Sequence, residues 1–266
     1  MRTGGALRCP NMQPLAPRDL DQYREKGFLV VRNVFRPDEV LDVARETEGL
    51  LSRADLMDQK NLRVRWQVHV ETMDPVFELY DPIVDIAPHC HAWAHDPRVL
   101  GAVGKLLGDE AHLIKDKLIY KPAGAGGYPL HQDFIAWPGF PESFTTVVVA
   151  IDPATEANGW IKVHPGAHAK GCLAERDGNF HILDDALVDA SAAVSLDLAP
   201  GDIAIYGGFM PHQSAPNRSP TQRRHLLFSY NAAKDGGEQR ASHYEAFHHY
   251  LRSVYSMMGL ADMHFR

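Results

Sequence analysis

The chain of 266 residues is 45% hydrophobic and 23% charged, a balance that supports a buried core and excludes intrinsic disorder. Its net charge of −7, with no basic run, excludes the electrostatic footprint of a nucleic-acid binder, and apolar runs such as 147–151 fall far short of the roughly 20 residues of a membrane helix. No apolar leader segment stands in the first 17 residues, and Cys9, Cys90 and Cys172 form neither a CxxC pair nor an even framework, which points to a reducing cytoplasm.

One domain is expected over 18–266, preceded by a loose arm over 1–17 in which Pro10, Pro14 and Pro17 stand among polar residues. Residues 19–26 read as a short helix ended by Gly27, and 28–31 as a short buried strand. Pro37 and Asp38 open a helix with Val40, Leu41, Val43, Ala44, Leu50 and Leu51 on one face. Another helix begins at Asp96 as N-cap, with Pro97 in the first turn; it turns Val99, Leu100, Val103, Leu106 and Leu107 inward and stops at Gly108. From Ala111 the character changes to short β-rich runs: 112–120, 145–151, 161–164, 193–198, 203–206 and 225–231. Asn158-Gly159, Pro165-Gly166 and Pro200-Gly201-Asp202 mark turns between them. A last helix over 244–258 carries Tyr244, Phe247, Leu251, Val254, Tyr255 and Met258 as a packing stripe. Helices first and many short strands afterwards describe an α+β domain built on a β-sandwich or barrel.

Fifteen histidines direct attention to metal and acid–base chemistry. Alternate residues of a strand share one face, so His131 and Asp133 are expected side by side. His212 follows the strand 203–206 after Gly207-Gly208-Phe209. Two imidazoles and one carboxylate on one side of a metal form the facial triad of non-haem Fe(II) oxygenases, with three positions left open. His-x-Asp by itself is weak evidence; the residues downstream give it weight. Arg223, eleven residues beyond His212, offers a planar fork suited to the distal carboxylate of 2-oxoglutarate, and Ser214 adds a hydroxyl for the same group. Strand alternation leaves open whether Arg223 or Arg224 points inward; spacings of 11 from His212 and 7 to Tyr230 favour Arg223. Phe134 and Trp137 are expected to wall the substrate site, under lids formed by 139–144 and the acidic segment 171–189, whose charge would suit a cationic substrate.

Other signals read as structure. His91 and His95 stand four apart without a Glu to complete a zinc motif, and His243, His248 and His249 are expected to face solvent. The glycine-rich run 124–127 precedes a strand, which argues against a dinucleotide loop, and no Gly-x-Ser-x-Gly elbow supports hydrolysis.

With these residues in place, the sequence resembles the phytanoyl-CoA dioxygenase-like family of Fe(II)/2-oxoglutarate oxygenases, which includes ectoine hydroxylase. The resemblance runs from Gly27 to Tyr230. It rests on Gly27-Phe-Leu-Val-Val31, Tyr120-Lys121-Pro122, His131-Gln-Asp133-Phe134 and Asn158-Gly159, then His164-Pro-Gly-Ala-His168, Pro200-Gly-Asp202, His212-Gln-Ser214, Arg223 and Tyr230. It implies a double-stranded β-helix (jelly-roll) core flanked by helices. It also implies iron on His131, Asp133 and His212, with 2-oxoglutarate anchored by Arg223 and contacted by Ser214. The expected activity is hydroxylation of an unactivated C–H in a small natural-product, amino-acid-derived or lipid-like metabolite, consuming O2 and releasing succinate and CO2. Asp133 stands where halogenase relatives have Gly or Ala, so hydroxylation is favoured over halogenation. The alternatives are a cupin-like jelly-roll that binds metal without turnover, and a zinc or manganese enzyme of that type. Nothing in the sequence specifies an oligomeric state, and no membrane or nucleic-acid partner is expected.

Overall fold

The strands at the centre of this protein, Thr145–Ala150, Ile203–Gly207 and Arg223–Ala232, are buried on both faces, so their runs do not show the simple alternation of a half-exposed strand. In the computed structural model, which describes residues 15–260 and 262–266, eleven strands are distributed over two antiparallel sheets. The elements in chain order are α1 (Pro17–Lys26), β1 (Phe28–Val31), α2 (Pro37–Leu50), β2 (Val64–Val68), β3 (Pro75–Tyr80), α3 (Pro88–Ala94), α4 (Pro97–Leu107), β4 (Ala111–Lys121) and β5 (Tyr128–His131). They continue with β6 (Thr145–Ala150), β7 (Ile161–Val163), β8 (Val194–Ser195), β9 (Ile203–Gly207), β10 (His212–Ser214), β11 (Arg223–Ala232) and α5 (Arg240–Met257).

The larger sheet runs β1-β9-β6-β11-β4-β3-β2 and the smaller β5-β10-β7-β8. Val147 and Val149 of β6, Ile203 and Ile205 of β9, and Leu226, Phe228 and Tyr230 of β11 join the helices in the main core. The intervening Val148, Ala150, Ala204, Tyr206 and Leu227 face the smaller sheet and pack on Ile161 and Val163. Each central strand is therefore buried twice, once under helices and once inside the sandwich. The functional cavity opens at one end of that interior.

Helix ends follow the sequence chemistry. The Asp96 carboxylate accepts the Arg98 N–H at 2.8 Å, Pro97 occupies the first turn, and Gly108 closes α4 in the left-handed region at φ 65°. In α2, Val40, Val43 and Leu50 are buried as expected, but Leu41 is 54% exposed and Thr47 takes its place inside. Thr47 is tolerated there because its hydroxyl donates to the Val43 carbonyl at 2.8 Å.

Several expectations are corrected. Strands β2 and β3 were not expected from the sequence; β3 extends the larger sheet beside β4 through Leu79↔Ile119 and Tyr80↔Leu118. The expected strand 193–198 shrinks to Val194–Ser195. His243 and His248 are buried rather than solvent-facing, because α5 packs this face against β4 and the Trp137 ring; His249 is exposed. The expected arm 1–17 falls mostly outside the described residues, and its end is anchored: Leu15 is buried and Pro17 begins α1. His91 and His95 lie exposed at the end of α3, stacked at 4.3 Å.

Candidate active site

The smaller sheet places the two histidines. β5 and β10 run antiparallel with His131 directly opposite His212, so their side chains leave the same face of the pair and their rings lie 4.2 Å apart. Asp133 arrives by a different route from the one expected. β5 ends at His131, and Asp133 has helical dihedrals (φ −62°, ψ −40°) at the start of a short 3-10 turn, Phe134–Ala136, rather than the i+2 place of a strand. That turn swings its carboxylate over the histidine pair, with Oδ1 3.9 Å from the Nε2 atom of both His131 and His212. Thr146 of the larger sheet donates its hydroxyl to Asp133 Oδ2 at 3.3 Å, so the cluster bridges the sandwich.

The donor set suits a divalent metal. His131 Nδ1 lies 2.7 Å from the Pro129 carbonyl and His212 Nδ1 3.0 Å from the Met210 carbonyl. A carbonyl only accepts, so each Nδ1 carries the proton and each Nε2 presents its lone pair to the centre of the cluster. The donor atoms of the three residues all lie within 4.8 Å of one another. Burial, reinforced by His212, pushes His131 well below the usual imidazole range, which keeps it neutral. Burial alone would raise Asp133, but His212, Lys117 and His131 outweigh it and hold the carboxyl below its ordinary value. Two imidazole Nε2 atoms facing one carboxylate are a donor set suited to Fe(II).

Gln132, between two of these residues in sequence, faces the other way. Its amide donates to the Gly171 carbonyl at 2.9 Å and the Phe209 carbonyl, and accepts from the Leu173 N–H at 2.8 Å. It thereby ties the start of the segment 171–189 to the loop preceding His212.

Two cavities meet at the cluster and share Lys117, Tyr128, His131 and Asp133 in their walls. The inner one, about 50 Å³, lies between the sheets and is lined by Ile161, Tyr206, Ser214, Arg223, His225 and Leu227, among others. Arg223 is buried here; it donates to the Gly159 carbonyl, and its Nε has no partner. Arg224 points the opposite way, into the helix layer, where it forms a two-pronged pair with Asp152 at 2.8 and 2.9 Å and reaches Glu48 at 3.3 Å. Sequence reasoning missed Lys121 at this site. Its ammonium is buried beside Arg223 and donates to Ser214 Oγ at 3.0 Å and to the Gly159 and Ala215 carbonyls. Burial and the neighbouring Arg223 push its pKa down to about 7, and burial alone pushes Arg223 down to about 10. Neither cation has a carboxylate partner among the described residues. Two buried cations left in this way call for an anionic guest. The pairing of β4 with β11 identifies Lys121: it shares the inward face of Ile119 and lies opposite Arg223 in register.

The outer cavity, about 230 Å³, is walled by Trp137, Phe140, Phe144, Phe180 and Phe247, with Arg65, Lys115 and Lys117 on one side. Trp137 lines it as expected. Phe134 does not; it is turned into a small buried cluster with Ile114, Phe140 and Phe144, and so supports the wall from behind. The segment 171–189 covers this end. Leu183 packs with Leu130 and Ile135, the Arg176 guanidinium sits 3.9 Å over the Phe134 ring, and Phe180 brings its ring 4.9 Å from His131. Its acidic residues do not enter the cavity: Asp177 is bound to Asn179 and His181, while Asp184 and Asp189 cap local turns. The acidic character of this segment therefore says nothing about substrate charge.

A metal cluster of two histidines and a carboxylate, set at the mouth of an antiparallel double sheet beside a buried guanidinium, defines the class of non-haem iron, 2-oxoglutarate-dependent oxygenases. The comparisons agree. The phytanoyl-CoA dioxygenase (PhyH) profile matches residues 23–225, and the chain belongs to that family. It is 34% identical over 144 residues to the methylphosphonate hydroxylase of Gimesia maris, a match spanning 52% of either protein. It is 24% identical over 230 residues, 84% of each chain, to the 2-aminoethylphosphonate dioxygenase of an uncultured bacterium. Among solved structures, EctD from S. alaskensis with 2-oxoglutarate and 5-hydroxyectoine superposes with a TM-score of 0.68 at 21% identity, covering 85% of this chain and 79% of that one. The fold is thus the double-stranded β-helix, and the enzyme is an Fe(II)- and 2-oxoglutarate-dependent oxygenase. Among the described residues no helix is long and apolar enough to cross a membrane.

Proposed function

We propose that residues 18–266 act as one catalytic domain in the cytoplasm and hydroxylate a C–H bond of a small metabolite. In this reading His131, Asp133 and His212 hold Fe(II), Arg223 anchors the distal carboxylate of 2-oxoglutarate, and Trp137 borders the substrate. The observation that carries it is the meeting of two cavities at one cluster of donor atoms: a narrow one lined by buried Arg223 and a wider aromatic one. Bound iron supplies the means to couple 2-oxoglutarate decarboxylation to O2 activation. The chain's own residues do the rest. The Pro129 and Met210 carbonyls fix the imidazole tautomers, and Thr146 orients the carboxylate. Lys121 donates to Ser214 Oγ, which leaves the Ser214 hydroxyl proton, together with the ammonium charge, for the carboxylate that Arg223 receives. Phe180 and Trp137 exclude bulk water from the outer cavity, which strengthens every charge interaction within it.

Relatives named for methylphosphonate and 2-aminoethylphosphonate make small organophosphorus compounds the first class to screen. No nucleic-acid or membrane partner enters this reading. The test is anaerobic addition of Fe(II) and 2-oxoglutarate, which should produce a visible charge-transfer band, followed by substrate-stimulated succinate release in air. A protein that binds iron but gives neither band nor succinate would instead be a non-catalytic, cupin-like jelly roll.

A further inference from the structure

The inward face of β4 carries Lys115, Lys117 and Lys121 around Ile119, opposite Ser229, Leu227, Arg223 and His225 of β11. Lysines are seldom aimed into a sandwich unless each has a counter-charge. Lys115 has one: its ammonium lies 3.0 and 2.7 Å from the two carboxylate oxygens of Asp81, which also accepts from the Tyr244 hydroxyl at 2.9 Å. Lys121 is held in the inner cavity by Ser214 and backbone carbonyls. Lys117 has neither: among the described residues it makes no hydrogen bond and no ion pair, although it lines both cavities. Arg65, which also lines the outer cavity, donates only to the Leu62 and Val64 carbonyls and rests 5.5 Å over the Phe247 ring, with no hydrogen bond to a carboxylate.

None of the other ionisable groups in that wall hydrogen-bonds to this pair, although Asp81 feels the charge of both and Asp133 that of Lys117. Asp81 is already engaged by Lys115, Asp133 belongs to the metal cluster, and buried His243 is kept neutral by its burial and by Lys115. The chain as a whole is negative, so the two free cations are a local feature rather than a share of general basicity. The remaining walls are aromatic, which lowers the local dielectric and makes an unanswered charge more expensive until an anion arrives.

We infer that the outer cavity seats its substrate by an oxyanion headgroup on Lys117 and Arg65, which places a neighbouring C–H at the metal cluster. Two cations against one headgroup match a phosphonate, which carries more than one negative charge at neutral pH, better than a carboxylate. This inference rests on the oxygenase reading for its purpose but not for its test.

Binding is measured on the metal-free full chain through the Trp137 environment and by calorimetry, with methylphosphonate, acetate and the neutral ester dimethyl methylphosphonate as probes. Methylphosphonate should bind, acetate more weakly and the ester not at all. Lys117→Met and Arg65→Met should each weaken methylphosphonate at least about tenfold and reduce its salt dependence, while Lys117→Arg retains most of the affinity. Lys162→Met, an exposed change on β7, should leave binding unaltered. Equal binding of the ester and methylphosphonate, or unchanged affinity in Lys117→Met with native folding, overturns the inference. So does a Lys117→Met enzyme whose KM rises for 2-oxoglutarate rather than for the phosphonate. The charge-transfer band scores the underlying reading separately: if it forms in wild type and in Lys117→Met, the oxygenase stands whatever the headgroup proves to be.

Discussion

Replacing Arg223 and Arg224 one at a time with Met separates two adjacent guanidiniums that face opposite sides of β11. Arg223 is buried in the inner cavity with an unpartnered Nε and no carboxylate in contact. If Arg223 anchors 2-oxoglutarate as proposed, its loss removes a charge-assisted contact worth about 2–5 kcal/mol, which is a rise of about 30-fold or more in KM for that cosubstrate. Ligand-free stability should hold or improve, because a buried cation without a counter-ion is a cost that Met does not carry. Arg224 behaves in the reverse manner. It answers Asp152 through two hydrogen bonds and also reaches Thr47, the Ala44 carbonyl and Glu48. Removing it strands a half-buried carboxylate; with both partners partly solvated, the loss is about 2–3 kcal/mol, below the range for fully buried pairs. The unfolding midpoint should fall by roughly 4–10 °C while KM for 2-oxoglutarate stays near wild type. Succinate release titrated with 2-oxoglutarate, alongside thermal unfolding of the ligand-free proteins, reads both quantities. If Arg224→Met raises KM and Arg223→Met does not, the assignment of the cosubstrate anchor is wrong.

Iron stoichiometry after reconstitution should collapse in His131→Ala and Asp133→Ala, with affinity falling by more than the roughly 10–100-fold that follows loss of an outer hydrogen-bond partner. Gly159 sits at φ 70°, and a Cβ there would lie 2.1 Å from the Ala215 carbonyl oxygen, so Gly159→Ala should cost at least about 2 kcal/mol in chemical unfolding. The same change should raise KM for 2-oxoglutarate, because the Gly159 carbonyl supports both Arg223 and Lys121. Burial, with help from Lys115, pushes His243 down to about 3, against an unfolded value near 6.5. The unfolded chain therefore binds the extra proton first: stability is full above about pH 6.5 and declines as pH falls toward 3. Between pH 6.5 and 5 this one residue should remove about 2 kcal/mol, and His243→Phe should flatten that part of a urea-unfolding pH profile.

Much of the site was legible in the chain by residue type and spacing. His131, His212, Ser214 and Arg223 lie outside the β-rich runs expected from the sequence; the structure places them on β5, β10 and β11 and brings them to one region. Asp133 reaches the cluster despite a mistaken reason: its neighbour relation to His131 comes from a tight turn, not from strand alternation. Phe134 was misplaced for the same cause, since the turn rotates it away from the cavity that Trp137 enters. Lys121 and Lys117 escaped notice because a lysine in a β run ordinarily reads as solvated. Only pairing with β11 on one side and closure by the smaller sheet turns that face inward.

The sequence alone determined the helix boundaries at Asp96 and Gly108, the change to many short strands after Ala111, and the residue types able to bind a metal and an acid. Those depend on caps, turns and side-chain chemistry within a few residues. Only the tertiary structure decided which of two adjoining arginines enters the cavity, and which of three lysines has a counter-charge. Both faces of the central strands are buried, so alternation divides the side chains into two sets without saying which set meets the helices and which the opposing sheet.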